Sequence, residues 1–346
     1  MMRCSRFRYE APRTVSEVCE LLRDQGPGAM VLAGGTDLVP NMKRRQQTPD
    51  LLVSLRRVDA LRTVSPDGKR LRLGATVTLT ELLSEERLHR NHAALFRAAA
   101  QVATPHLRNR ATLGGNLCLD TRCNYYDQNY EWRKAISFCM KKDGQVCWVA
   151  PGSPRCWAVS STDSAPALMA LGAEVTLASS EGERTVPLKD LYRDDGIHYL
   201  SRRPGELLTD VRLPAPVPGA RSTYWKLRRR GSIDFPVLSV AAWLRLDPRG
   251  VVEEARLVLG SVGSRPAESS AASLLLGRAL DNDGIERVAE EASRSAKPLD
   301  NTDFHLGWRK KAARHLVAGA LRELRGDDPR ELGPIARRAA ELVPVS

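Results

Sequence analysis

The sequence predicts an α+β protein, and three features of the chain indicate this class. Residues 1–57 combine short apolar strands with one amphipathic helix. Residues 58–183 alternate strand and helix patterns around a cysteine-rich stretch. Residues 184–346 hold strand-like runs followed mainly by helical ones, an order typical of helices packed on antiparallel strands. We therefore predict a first domain of two subdomains, residues 1–183, followed by a C-terminal domain.

The first subdomain is predicted to be a β-α-β unit with a third strand. Thr14 and Glu17 form a capping box that starts the helix, and Gly26 lies where a C-terminal cap belongs. Apolar runs at residues 29–33 and 51–55 predict strands. Crossing connections between short strands favour a parallel layer of three strands.

The second subdomain again contains a capping box and a helix, and then an irregular stretch follows. Thr78 and Glu81 form another capping box, and residues 93–103 read as a helix. Residues 118–157 are polar, rich in aromatic residues and cysteines, and show neither helical nor strand periodicity. Because a long irregular loop in a compact domain needs a source of order, we predict an insertion with its own stabilising centre.

The C-terminal domain is predicted from six segments of alternating or helical pattern. Three read as strands and three as helices. The strands are expected at residues 206–214, 239–247 and 251–263, and the helices at 266–280, 284–296 and 305–324.

Composition excludes several classes of protein. No run of about 18 apolar residues predicts a membrane span, and the basic N-terminus lacks the apolar core of a secretion signal, so we expect a cytoplasmic protein without a membrane partner. In that compartment, the seven cysteines are not expected to form a disulfide framework. The net charge of +12 is scattered along the chain without a nucleic-acid-binding signature, so no nucleic-acid partner is predicted.

Two glycine pairs are candidate phosphate cradles. Paired glycines permit left-handed backbone and close approach of N–H groups, which can form an anion-binding nest. The alternative is a pair of tight turns, and neither loop matches the G-x-G-x-x-G or P-loop pattern. The pairs are Gly34-Gly35 and Gly114-Gly115, with Thr36, Thr112 and Asn116 as neighbouring side-chain donors and Asp37 as an acceptor or loop-orienting group.

The segments LAGGTDLVPNMK, RNRATLGGNL and SSTDSAPALMALGAEV, in this order, resemble the FAD-binding (medium) subunit of the molybdenum hydroxylase (xanthine dehydrogenase) family. YWKLRRRGSIDFPVLSVAAWL and LVLGSVGSRPAE extend the resemblance through the C-terminal domain. It implies a two-subdomain FAD-binding domain of the vanillyl-alcohol-oxidase/PCMH type, followed by a C-terminal domain of the CO dehydrogenase flavoprotein type.

The resemblance also implies which residues contact FAD. Read from the sequence alone, Asp163 could instead be a helix N-cap and Lys226 part of a solvated basic strand. A cation near the flavin would stabilise its anionic reduced form. The implied FAD contacts are Met30, Val31, Leu32, Ala33, Gly34, Gly35, Thr36, Asp37, Val102, Thr112, Leu113, Gly114, Gly115, Asn116, Asp163 and Lys226, with no catalytic residue among them.

Four cysteines of the insertion, Cys123, Cys139, Cys147 and Cys156, are candidate ligands of one metal centre. Four thiolates around such a centre would order a segment that has few aliphatic residues. From spacing alone an iron–sulfur cluster, a structural zinc ion and unligated thiols all remain open, although the close C-x₂₋₄-C pairs of zinc sites are absent. Cys118 is the rival ligand.

The insertion resembles that of 4-hydroxybenzoyl-CoA reductase β subunits, and this implies a [4Fe–4S] cluster on the same four cysteines. Reduced ferredoxin would then deliver electrons through [4Fe–4S] and FAD to a [2Fe–2S] small subunit and a molybdenum-cofactor large subunit, for reductive dehydroxylation in a dimer of heterotrimers. One alternative is a xanthine, aldehyde or CO dehydrogenase-like hydroxylase that passes electrons from its substrate to NAD or a quinone. Another is a flavin-free binding or scaffold module.

Overall fold

The computed structural model describes residues 3–302 and 304–341, so the predicted outer limits at residues 1 and 346 lie outside the described chain. Within it, helices accompany sheets of three, five and four strands. The predicted α+β class is confirmed. No helix in the described residues is long and apolar enough to cross a membrane.

The first subdomain is a parallel three-stranded layer, as predicted, with strand order β1-β3-β2. Thr14 and Glu17 form the expected capping box, and the Gly26 N–H donates to the carbonyl of Leu22 at the end of the first helix. That helix buries Val18 against the layer. The elements are β1 (Arg8–Glu10), α1 (Val15–Gln25), β2 (Ala29–Leu32), α2 (Leu38–Lys43) and β3 (Leu51–Ser54).

The second subdomain surrounds an antiparallel five-stranded sheet of order β4-β5-β8-β6-β7. Its strand β8 lies where a strand was predicted at 206–214, but the prediction placed that strand in the C-terminal domain, whereas β8 pairs with β5 and β6 of this subdomain. The elements are β4 (Val64–Asp67), β5 (Arg70–Gly74), α3 (Leu79–Leu83), α4 (Glu86–Asn91), α5 (Ala93–Ala100), α6 (Pro105–Arg108), α7 (Leu113–Leu117), α8 (Tyr130–Ala135), α9 (Ser164–Leu171), β6 (Glu174–Ser179), β7 (Gly182–Pro187) and β8 (Leu207–Leu213).

The C-terminal domain packs helices on an antiparallel sheet of order β12-β11-β10-β9. The helix predicted at 266–280 is wrong, because this stretch holds β12 and a 3₁₀ turn at Ser270–Leu275. Serine hydroxyls there compete for the backbone, and Ser273 donates to the carbonyl of Ser270 at 2.8 Å. The elements are β9 (Ala220–Leu227), β10 (Leu238–Leu246), β11 (Val252–Gly260), β12 (Ala267–Glu268), α10 (Asn282–Ser295), α11 (Leu306–Arg325) and α12 (Pro334–Glu341).

One hydrophobic core joins the second subdomain to the C-terminal sheet. Helix α9 is buried along its whole length and packs on β10 and β11. Tyr224 and Trp243 of the C-terminal sheet belong to the same buried cluster as Leu73 and Val211 of the five-stranded sheet. This shared core fixes β9, which carries Lys226, against the first turn of α9.

Candidate cofactor sites

A cavity of about 1130 Å³ opens where the two subdomains and the C-terminal domain meet. Its walls come from the first glycine loop, the second glycine segment, residues 193–208 and residues 230–235. Pockets for drug-sized ligands span roughly 300 to 1,000 Å³, so this cavity has room for an extended dinucleotide.

The first glycine pair is a tight loop in contact with the second glycine segment. Gly35 has a φ of +73°, in the left-handed region that glycine tolerates without strain. A Cβ on Gly34 would lie 1.8 Å from the carbonyl oxygen of Arg110, immediately before the second segment. The absence of a side chain at Gly34 therefore allows the two glycine segments to meet at the cavity wall.

The second glycine pair is helical, which differs from the predicted loop. Gly114 and Gly115 lie in α7, whose N-cap Thr112 accepts the Gly115 N–H at 3.1 Å. Neither glycine has positive φ, so the expectation of left-handed backbone is wrong here. A Cβ on Gly114 would lie 2.8 Å from the carbonyl oxygen of Ala75, so this glycine serves close packing.

Polar side chains near both glycine segments are engaged within the protein. The Asp37 carboxylate accepts hydrogen bonds from Arg122 and from Asn41, the latter at 3.1 Å. The Asn116 side-chain carbonyl accepts from Thr162 at 2.8 Å and from the Ser164 N–H at 3.0 Å. Asp37 thus orients its loop, and Asn116 ties α7 to the start of α9.

Asp163, Lys226 and Tyr224 form a buried charged group behind the cavity. Lys226 donates to the Asp163 carboxylate at 2.9 Å, and Tyr224 donates to the other carboxylate oxygen at 2.6 Å. Lys226 is also hydrogen-bonded to the carbonyls of Gln101 and Asp234, both of which flank the cavity. Burial raises the pKa of Asp163, and the Lys226 ammonium opposes that shift. Lys226 thereby fastens three parts of the cavity wall together.

The four cysteines of the insertion are buried close to one another. Cys123, Cys139 and Cys156 share one hydrophobic cluster with Tyr126, and Cys147 is equally inaccessible. All seven cysteines of the chain carry free thiols. The thiols of Cys139, Cys147 and Cys156 each raise the pKa of Cys123.

Burial is the main influence on the pKa values of Cys123 and Cys156. It raises the pKa of Cys123 to about 12 and that of Cys156 to about 11, and the neighbouring thiols add to both shifts. Across residues 3–302 and 304–341, no group of three or more His, Cys, Asp or Glu side chains could hold a single metal ion. The four thiols are therefore neighbours without forming a compact mononuclear site.

The insertion has one short helix, α8, and is otherwise irregular. Its ends are paired by backbone hydrogen bonds between Arg122 and Val159 in both directions, at 2.8 and 2.7 Å. Asn301 of the C-terminal domain accepts the Asn124 N–H at 3.1 Å and donates to the carbonyl of Trp157 at 2.9 Å. The insertion is thus held at its base by the rest of the fold.

Comparison with known proteins decides the family. The profile of the FAD-binding domain in molybdopterin dehydrogenase matches residues 5–216, and that of the CO dehydrogenase flavoprotein C-terminal domain matches residues 222–324. The chain belongs to the FAD-binding medium-subunit family of the molybdenum hydroxylases. FAD is the cofactor of its first domain.

Individual relatives in this family share length as well as sequence. The aldehyde oxidoreductase FAD-binding subunit PaoB of Escherichia coli is 34% identical over 91% of this chain and 98% of its own. The carbon monoxide dehydrogenase medium chain of Afipia carboxidovorans is 28% identical over 91% of this chain and 95% of its own. Reconstituted CO dehydrogenase from Oligotropha carboxidovorans superposes with a TM-score of 0.78 at 26% identity, covering 94% and 100% of the two chains.

Most of the residues expected to contact FAD in this medium subunit line the cavity. Leu113 is fully buried in the core, and neither Leu32 nor Lys226 reaches the cavity surface. The solvated basic strand considered for Lys226 is wrong, because its side chain has no exposed surface. Those that line the cavity are Met30, Val31, Ala33, Gly34, Gly35, Thr36, Asp37, Val102, Thr112, Gly114, Gly115, Asn116 and Asp163.

Sequence reasoning missed the far wall of the cavity of this medium subunit. Asp120, Tyr199 and Leu200 line it, as do Ile233 and Phe235 of the loop after β9. Residues 193–205 carry no motif and no regular pattern, so no signal could have found them. Ile233 and Phe235 had a signal, because both lie within the family-like stretch that begins at Tyr224.

Proposed function

We propose that this medium subunit is an electron-transfer subunit that holds FAD in the cavity and a [4Fe–4S] cluster on Cys123, Cys139, Cys147 and Cys156. The observation that carries the proposal is the burial of four free thiols, three of them in one cluster, in a segment that leaves the cavity wall at Asp120. An iron–sulfur cluster is bound by four cysteine thiolates, which is the number that this segment supplies.

The cavity fits FAD on grounds independent of the family. Gly34 and Gly35 line the cavity beside Thr36, and backbone N–H groups of such a loop can form a nest for a pyrophosphate. Asp163 supplies a buried carboxylate at another point of the wall, held by Tyr224 and Lys226. We assign the sixteen residues named from the sequence to FAD binding, with Leu32, Leu113 and Lys226 acting from behind the wall.

The spacing of the four cysteines favours a cluster over a zinc ion. Structural zinc sites usually take their thiolates from close C-x₂₋₄-C pairs, and no such pair occurs among Cys123, Cys139, Cys147 and Cys156. An iron–sulfur cluster also takes four cysteine thiolates, and the insertion supplies four buried cysteines.

The residues of this chain bind and orient the redox groups and do no substrate chemistry. FAD exchanges one or two electrons, which lets it connect one-electron clusters to a two-electron reaction on another subunit. Asp37 and Arg122 fix the first glycine loop against the base of the insertion. Lys226 fixes the walls around Asp163. The two sites are thereby held in one rigid frame.

The first candidate function also includes two partner subunits and a direction of electron flow. The insertion resembles that of 4-hydroxybenzoyl-CoA reductase β subunits, so reduced ferredoxin would supply electrons through [4Fe–4S] and FAD. A [2Fe–2S] small subunit and a molybdenum-cofactor large subunit would receive them, in a dimer of heterotrimers. The net charge of +12 suits an acidic electron donor, because opposite charges speed encounter.

A second candidate is favoured by a specific observation. The relative at 34% identity is the FAD-binding subunit of an aldehyde oxidoreductase, and the chain covers 98% of it. In that case electrons would run from an aldehyde at the molybdenum subunit to FAD and then to an external acceptor. The thiol-bound cluster would then accept electrons on the way out instead of on the way in.

The first experiment measures iron, acid-labile sulfide, zinc and flavin per chain in protein purified without oxygen. We expect about four iron and four sulfide per chain, with one FAD. Cys139→Ser should lose the iron and keep the flavin, because Cys139 is in the insertion and not in the cavity wall. Cys4→Ser is the matched control, since Cys4 is outside the insertion, and it should keep both.

Zinc in place of iron, or no metal at all, would reject the cluster and leave an ordinary flavin subunit. A colourless protein that binds no added FAD would reject the flavin assignment and favour a scaffold module. With the cluster present, the assembled three-subunit complex separates the two candidates. Turnover of an aromatic acyl-CoA with reduced ferredoxin supports the first, and oxidation of an aldehyde with a dye acceptor supports the second.

A further inference from the structure

Lys141 occupies an unusual position between the cavity and the cysteines. It follows Cys139 by two residues, and its side chain is 6% exposed. Its ammonium donates to Asp120 at 2.8 Å, to the Thr121 hydroxyl at 2.7 Å and to the carbonyl of Gly196 at 2.6 Å. All three of its N–H bonds are thus used within the protein.

One of these partners reaches the cavity directly. Asp120 lines the cavity, and its carboxylate also accepts from the Tyr126 hydroxyl at 3.2 Å and from Gln47 at 3.3 Å. The ring of Tyr199, another cavity residue, lies 5.6 Å from the Lys141 ammonium, and that of Tyr126 lies 5.0 Å from it. Aromatic faces at this range attract a cation.

Gly196, which accepts a hydrogen bond from the Lys141 ammonium, is also hydrogen-bonded to Cys156. Gly196 donates its N–H to the carbonyl of Cys156 at 2.9 Å, and a Cβ on Gly196 would come within 2.7 Å of the Cys156 sulfur. Lys141 is therefore a fixed positive charge that is separated from the thiol of Cys156 by a single residue, Gly196.

We propose that Lys141 is a positioning residue that sets the reduction potential of the centre bound by the four cysteines, and that Asp120 opposes its effect. The inference rests on the proposed function, since it presumes an iron–sulfur cluster at those thiols. Uptake of one electron makes that centre one unit more negative, and no bond or proton is exchanged. A buried ammonium stabilises the added charge, while the carboxylate of Asp120 destabilises it.

The test is a redox titration of the anaerobic protein with dithionite as the reductant, followed by electron paramagnetic resonance. K141M removes the charge and keeps an aliphatic stem of similar length. We expect it to lower the ratio of reduced to oxidised cluster at a fixed potential about tenfold, which corresponds to 59 mV for a one-electron couple. K142M is the matched control, because Lys142 is 28% exposed and pairs only loosely with Asp143, at 3.6 Å.

Two further variants keep the proposal falsifiable if K141M loses its iron. K141R retains the positive charge and should keep the wild-type potential. D120N removes the opposing negative charge and should shift the potential upwards, in the direction opposite to K141M. A purely structural role for the ion pair would loosen the insertion in both variants without giving shifts of opposite sign.

The outcomes distinguish this inference from the function on which it rests. Wild-type protein without iron and sulfide would refute the cluster itself. Wild-type protein with a full cluster, together with K141M and D120N at the wild-type potential, would overturn the role of Lys141 and leave the proposed function intact. Equal shifts in K141M and K142M would also overturn it, because they would show that any nearby lysine has the same effect.

Discussion

The flavin cavity and the cysteine insertion acquire their order in different ways. The cavity wall is made at the ends of regular elements, with α7 capped by Thr112, the start of α9 hydrogen-bonded to Asn116, and β9 fixed behind it by a shared core. The insertion has one short helix, four buried thiols and a few hydrogen bonds at its base. The fold itself shapes the first site, whereas under the proposed function the second would depend on a bound centre to complete its order.

The buried polar groups of the cavity and of the insertion also differ. Around the cavity, buried charges are matched in pairs such as Asp163 with Lys226. In the insertion, the buried thiols of Cys123 and Cys156 have raised pKa values, and thiolates would form there only with a compensating metal centre. We therefore expect changes at the cavity to affect FAD directly, and changes at the insertion to leave FAD in place.

The largest expected effect comes from disrupting the contact between the two glycine segments. In Gly34→Ala the new methyl group would meet the carbonyl oxygen of Arg110 at 1.8 Å, which forces the two segments apart. We expect the affinity for FAD to fall at least about 100-fold, equivalent to roughly 2.7 kcal/mol. Fluorescence titration of the apoprotein with FAD measures it.

Gly152→Ala is the matched control for Gly34→Ala, because a methyl group at Gly152 meets nothing within 4 Å. It should bind FAD like the wild type. Wild-type affinity in Gly34→Ala would show that the glycine contact is not needed for the cradle, and the contrast between the two regions would lose its main support.

The second prediction concerns the C-terminal domain, on which both regions rest. Arg309 is buried and donates to the carbonyls of Val237, Ser261 and Leu299, and burial lowers its pKa to about 10. Arg309→Met would leave these acceptors unsatisfied, which should cost about 2 kcal/mol of unfolding free energy. Urea unfolding measures the loss, with the exposed Lys310→Met in the same helix as the control; equal stability of the two variants would refute it.

Much of the fold was predictable because its signals are local. The capping boxes at Thr14 and Thr78 and the apolar strands of the first layer were confirmed. The position of β8 depends on pairing with β5 and β6, which are distant in sequence, and an alternating pattern carries no information about its partner. The serine-rich turn at residues 270–275 was mistaken for a helix because its apolar spacing outweighed its local polar competition.

Prediction of the sites from the sequence is limited in the same way, to features with a local signal. The glycine pairs, Asp163 and the four cysteines could be named from sequence because each carries a motif or a resemblance. The partners that hold them could not, since Arg122, Lys141 and Tyr224 meet their carboxylates only through tertiary contacts. Burial of Lys226 likewise followed from the shared core and not from its basic neighbours in sequence.

The third prediction tests whether the insertion depends on its centre. Under the proposed function, removal of iron by an oxidant and a chelator should unfold α8 locally and allow trypsin to cut at the exposed Lys134, because the thiols would no longer share a partner. We expect cleavage there to become about tenfold faster, as in a segment that opens locally. Arg90 on α4, which is equally exposed in the second subdomain, is the internal control and should be cut at an unchanged rate. Faster cleavage at both sites would mean that the centre stabilises the whole domain.

The smallest expected effect concerns the hydrogen bond between Tyr126 and Asp120, at the boundary between the insertion and the cavity. Tyr126 of the insertion donates its hydroxyl to Asp120 of the cavity wall at 3.2 Å, and burial raises its pKa. Tyr126→Phe should cost about 1 kcal/mol in urea unfolding, because Asp120 keeps its other donors, Lys141 and Gln47. Tyr130→Phe is the control, since Tyr130 is half exposed and should be neutral. A loss of FAD in Tyr126→Phe would contradict the separation, because the insertion would then shape the flavin cavity as well as its own centre.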